Sequence, residues 1–164
     1  MARRASPLRE AVKARVYPFA AGQGFIKAPS THPHFTLFRR PKESVVQLFE
    51  LQWDKYHRPA FVVNFAEAPI GGVTVHGTHI RAADLETHQC PTLGQLKPRN
   101  CPYVRCWFRQ KKPLLAWLTS GRRFHRPDEV VDQLMGLFPE LDAWWADRQQ
   151  GPHLRFIRLS RRGV

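Results

Sequence analysis

No run of 18 or more apolar residues occurs in the chain, so no segment reads as a membrane-spanning helix. The basic start, MARRASPLREAV, is not followed by a continuous apolar segment, which argues against an ordinary secretory signal. Cysteine is scarce. Cys90, Cys101 and Cys106 cannot all pair within one chain, and reduced thiols in a bacterial-type cytoplasm are the expectation. There is no G-x-S-x-G, no P-loop, no dinucleotide fingerprint and no C-x-x-C, so neither a catalytic motif nor a cofactor is expected.

Acidic residues are the other shortage. Thirteen stand against 26 Lys and Arg, a formal charge of +13. Between Thr87 and Pro127 there is no acid at all, yet nine basic residues occur: Lys97, Arg99, Arg105, Arg109, Lys111, Lys112, Arg122, Arg123 and Arg126. From Pro127 to Gln149 the balance reverses, with six acids against one arginine. The basic block can meet nucleic acid or another polyanion. It can equally lie against the acidic segment that follows it.

What is present belongs to a folded protein. The 164 residues are 43% hydrophobic and 12% aromatic, enough for one core that buries roughly 70% of the extended surface. The chain reads as a single α+β domain over 1–164, frayed at 1–5 and 160–164. Its expected architecture is a mainly antiparallel sheet of about four to five strands, with N-terminal and C-terminal helices packed on one face.

The centre of that sheet is 44–66. SVVQLFELQW and AFVVNFA are rich in β-branched and aromatic residues and are joined by the loop DKYHRP, the pattern of two antiparallel neighbours. Alternation puts Phe49, Leu51 and Trp53 on one face of the first strand and Glu50 and Gln52 on the other. On the second, Phe61, Val63 and Phe65 lie opposite Val62 and Asn64.

Around this pair, Leu8, Ala11, Val12, Val16 and Phe19 have helical spacing over 7–21, with Pro18 placed to kink or end the helix. HFTLFRR at 34–40 is a short strand, and GGVTVHG at 71–77 is a further candidate partner in the sheet. Residues 77–101 read as a long loop, with one helical turn near 82–87. PYVRCWFRQ, 102–110, alternates cleanly: Val104, Cys106 and Phe108 on one face, Tyr103, Arg105, Trp107 and Arg109 on the other. LLAWLTSG leaves its state open, as does HLRFIRLSRR. Residues 127–148 form the clearest amphipathic helix, with Pro139 expected to kink it or split it in two.

Several chemistries can be weighed. His76, His79, His88, Cys90, Cys101 and Cys106 include zinc-ligand types, but their spacing argues against a metal site. Cys90 and Cys101 are candidate nucleophiles only if a base lies within reach, and both stand before proline, a context that suits a turn. The most informative constellation is the mixed sheet face. If the strands at 44–53, 60–66 and 102–110 share a sheet, Glu50, Gln52 and Asn64 meet Tyr103, Arg105, Trp107 and Arg109 there. Arginine and aromatic residues beside polar acceptors suit a binding site, whereas simple ion pairing of Glu50 with an arginine is the plainer outcome.

The order of these features resembles a known family. A helix runs into Gly24-Phe25, and strands FTLFRR, VVQLFELQW and AFVVNFAEAP follow, with CPYVRCWF and a tryptophan-containing helix after them. Over roughly 7–148 this texture is similar to the bacterial family catalogued as domain of unknown function 4304. The resemblance implies a compact α+β cytoplasmic protein with no established reaction, and it carries over no site residues. The functional expectation is a non-enzymatic module that recognises a protein partner, in an immunity-like or accessory role. Polyanion or nucleic-acid binding through 97–126 is the alternative.

Overall fold

The computed structural model describes residues 6–29, 32–99, 107–112 and 114–157. The N-terminal helix has three pieces: α1 (Ser6–Ala11), a π-helical turn (Val12–Val16) and α2 (Tyr17–Gly22). Leu8, Val12, Val16 and Ala20 are all buried, each four residues from the last. A step of four overshoots a 3.6-residue turn, so such a stripe drifts around an α-helix. The wider π turn, marked by the Tyr17 N–H bonding the Val12 carbonyl, takes up that drift. Pro18 therefore does not end the helix. It falls in the first turn of α2, where its missing N–H costs little.

Among the described residues there are nine strands: β1 (Ile26–Lys27), β2 (Phe35–Pro41), β3 (Val45–Trp53), β4 (Ala60–Pro69), β5 (Val73–Val75), β6 (Thr78–Ile80), β7 (Thr92–Leu96), β8 (Phe108–Arg109) and β9 (Leu154–Phe156). The main sheet has seven strands in the order β1-β2-β3-β4-β7-β9, and β8 pairs with β4 along the same edge as β7. Every pairing is antiparallel. The fold is thus α+β, with β3 and β4 at its centre and helices at both ends of the sequence.

Two sequence expectations change. The 71–77 segment does form β5, but among the described residues it pairs only with β6, in a separate ribbon. Residues 77–101 are not one long loop: they contain β6, a 3₁₀ turn (Thr87–Gln89) and the interior strand β7. β7 is disguised because Gly94 weakens its β propensity. That glycine is required by packing, since a Cβ there would lie 2.4 Å from Cζ of Phe65 on β4.

One sheet face carries the main core. Phe49 stacks on Phe38 at 4.6 Å between centroids and meets Phe25 and Phe138 edge-on. Phe138 belongs to α4 (Pro127–Asp147), which runs unbroken through Pro139, so the helix is not split in two. Trp144 and Trp145 of α4 pack on Phe65, while Leu8, Val12 and Val16 complete the layer. The opposite face holds a smaller cluster. Leu48, Ala66 and Ala68 are covered there by Ala82, Leu85 and Cys90, with Val73 and Ile80 alongside. Ala66 and Ala68 are small enough to let that covering segment approach closely. Among the described residues no helix is long and apolar enough to cross a membrane.

Candidate functional site

The smaller cluster covers only part of its face. Beyond Leu48 and Ala66 the sheet presents polar residues instead, and a cleft of about 790 Å³ opens over them. Strand register creates its floor. Leu37, Glu50, Asn64 and Gln95 are successive cross-strand partners on β2, β3, β4 and β7, and so share one row on one face. Gln52, two residues along β3, joins them. Phe35, Leu37 and Leu93 supply apolar walls, and the segment 83–88 forms one rim with Asp84, Glu86, Thr87 and His88.

The polar side chains hold one another. Asn64 Nδ2 donates to Glu50 Oε1 at 3.1 Å and to Gln52 Oε1 at 3.2 Å, while Gln95 Nε2 donates to Asn64 Oδ1 at 3.0 Å. Thr87 Oγ1 also donates to Glu50 Oε1, at 3.1 Å. Both amide hydrogens and the carbonyl oxygen of Asn64 are thereby engaged. The Gln52 amide N–H groups, the Gln95 carbonyl and the second Glu50 oxygen have no hydrogen-bond partner among the described residues.

Burial pushes the Glu50 carboxyl above its ordinary pKa; the Asn64 and Thr87 hydrogen bonds oppose the shift, and the negative charge of Glu86 adds to it. Among the described residues Glu50 does not pair with an arginine. Arg39, in the same cleft, has its guanidinium on the Leu85 carbonyl at 2.6 and 3.2 Å, and burial lowers its pKa. Acids thus gather in this part of a strongly basic chain.

Of the residues singled out by sequence, Glu50, Gln52 and Asn64 come together as expected. Tyr103 and Arg105 lie outside the described residues, as do Cys101 and Cys106. Trp107 precedes β8 and does not line the cleft. Arg109 has the expected parity, since its partner Ala60 shares a face with Asn64. Yet Ala60 is four residues from Asn64, roughly 13 Å along the strand. Gln95, Thr87 and Arg39 were not anticipated. The only sequence signal for Gln95 is a short alternation within TLGQL, and its place in the row depends on a register that no single strand encodes.

Arg109 belongs to a second feature, a finger spanning 109–125. Its stem is closed by Lys112 N–H to the Arg123 carbonyl at 3.1 Å and His125 N–H to the Gln110 carbonyl at 2.7 Å, with a bridge between Lys111 and Phe124. Its tip is α3 (Leu114–Ser120). A concavity of about 350 Å³ there is lined by Arg109, Lys111, Lys112, Leu114, Trp117 and Arg123. The acidic helix does little to neutralise this block. Among the described residues Glu129 meets it, through Arg122 at 2.8 Å and His125 at 3.3 Å. Asp128 and Asp132 instead hold Arg15, and Asp142 holds Arg40.

The remaining chemistry weighed from sequence can be placed. Cys90 is buried, and loss of hydration pushes its thiol up to about 12, which leaves it a poor nucleophile. Among the described residues no three His, Cys, Asp or Glu side chains converge on a common point. Comparison with family models, curated proteins and solved structures finds no match to this chain.

Proposed function

We propose that the protein is a binding module whose recognition site is the cleft over Glu50, Gln52, Asn64 and Gln95, and that it receives a hydrogen-bonding, neutral or cationic side chain of a protein partner. The observation that carries this reading is the cross-strand row itself. Asn64 orients three neighbours through its own hydrogen bonds and leaves their outward groups directed to other partners. Such a floor is pre-ordered, so a partner would bind without first ordering these side chains. Apolar walls around a few oriented polar groups are the usual composition of a recognition cleft, and the volume is in the customary range.

Asp84 is engaged by Arg81, Glu86 lies against His88, and Arg39 is engaged on a carbonyl, so the second Glu50 oxygen and the Gln95 carbonyl are the acceptors left over the floor, which favours a hydrogen-bond donor, an amide or a cation, over an anion. Recognition is proposed rather than catalysis, in a cytoplasmic accessory or immunity-like role, and kinship with domain of unknown function 4304 forms part of the same proposal.

The test is co-purification from the native cell with the wild-type chain and with Asn64→Leu. A protein retained by the wild type and lost with the variant supports the reading, provided the variant keeps its cooperative melt. A partner held equally by both, or recovered with neither, would remove it.

A further inference from the structure

We infer that the finger at 109–125 is a docking site for single-stranded nucleic acid, with phosphates on its cations and an unstacked base against Trp117. The inference is independent of the cleft and concerns the opposite sign of charge. Arg109, Lys111, Lys112 and Arg123 line one small concavity together with the Trp117 indole and Leu114. Among the described residues no carboxylate lies within ion-pair distance of these four. Lys112 is held on Ser120 Oγ at 2.9 Å, and Arg123 lies over the Phe124 ring.

Trp117 is 39% exposed, on a helix that also presents Leu114 and Leu118 to solvent. An indole of this kind contributes nothing evident to the core. Beside four cations that no carboxylate among the described residues compensates, it has the composition of a stacking platform with an electrostatic groove.

Concavity and size select the occupant. A space of about 350 Å³ suits a single unpaired base with its adjoining phosphates. A duplex presents no free base face to the indole. An anionic membrane would meet the same charges and the exposed Leu114 and Leu118, but Trp117 is part of the wall of a concavity, which an unstacked base can enter and a headgroup layer lies across. The stem supports the arrangement: its backbone pairing places Lys112 opposite Arg123, on either side of the site.

The experiment is fluorescence anisotropy of a short labelled oligouridylate with the full chain across a salt titration. Binding should weaken with salt, with a log–log slope of about 2 to 3 for three or four displaced counterions. Trp117→Ala should weaken it roughly ten-fold or more, Trp117→Phe should retain most of it, and Lys111→Glu with Arg123→Glu should lower the slope. Melting curves of the Trp117 variants should match the wild type, because that side chain belongs to neither core cluster. Absence of binding at the lowest salt, an unchanged affinity in Trp117→Ala, or equal competition by duplex would overturn the inference. Binding to phosphatidylserine vesicles without binding to the oligonucleotide would also overturn it, and would assign the finger to membranes.

Discussion

The two faces of β3 and β4 are made from alternate residues of the same two strands, yet they are closed by different means. On one, Phe49, Leu51, Phe61, Val63 and Phe65 are wholly buried beneath the terminal helices. On the other, the segment 82–90 covers Leu48, Ala66 and Ala68, reaches Glu50 through Thr87, and leaves Gln52 and Gln95 half-buried in the cleft. The boundary follows the chemistry of the floor. Covering an apolar row returns roughly 25 cal/mol for each Å² removed from water, whereas covering a carboxyl and three amides requires a partner for every donor and acceptor. The first face is settled by burial. The second is settled by hydrogen bonds and keeps groups to spare.

This contrast can be broken most severely from the core side. Phe49→Ala removes a ring packed among Phe25, Phe38 and Phe138, and should cost about 3–5 kcal/mol in urea unfolding. A loss below about 1 kcal/mol would mean that the aromatic layer is not the stabilising face. Gly94→Ala acts on the same face, forcing a methyl group into the space that Phe65 occupies. An overpacking cost of about 1–3 kcal/mol is expected. A variant as stable as the wild type would contradict the close approach of β7 to β4.

Glu50→Gln should have the smallest effect at a single pH, and it sharpens the comparison through pH dependence. The folded chain holds the Glu50 proton more tightly than the unfolded chain, because burial raises its pKa. Its contribution to stability is therefore greatest while the carboxyl is protonated. That contribution declines as pH rises from the ordinary carboxylate range through the raised value. Glu129 runs the other way. The Arg126 N–H and the Arg122 guanidinium hold its carboxyl down to about 2, so the stability it adds is lost as pH falls toward that value. Subtracting the Glu50→Gln stability profile from that of the wild type isolates the first effect. A difference that does not change with pH would show that Glu50 is not desolvated.

Much of the fold was legible because local pattern and burial agree. The alternation in VVQLFELQW and AFVVNFA, and the apolar stripe of 127–148, each identify a face without reference to anything distant. β7 was hidden for the opposite reason. TLGQL has a glycine where Phe65 leans over the strand, so its sequence answers to a neighbour about thirty residues away rather than to its own propensity. The parity of Arg109 was legible, but its distance from Asn64 was not. Alternation assigns a face, whereas register assigns a position along it. The π turn in the first helix is similar: the four-residue spacing of Leu8, Val12, Val16 and Ala20 is visible in the sequence, and packing against the sheet makes the helix adjust to it.

By itself, then, the sequence determined the α+β class, the two-sided character of β3 and β4, and the sign of the charge along each stretch. These follow from residue type and period alone. Tertiary structure decided that Gln95 and Thr87 join Glu50, Gln52 and Asn64 in one network, while Arg109 stands apart on a cationic finger. Strand order, register and the reach of the covering segment are properties of the whole sheet, and only their combination brings residues as distant as 50 and 95 within hydrogen-bonding range of Asn64.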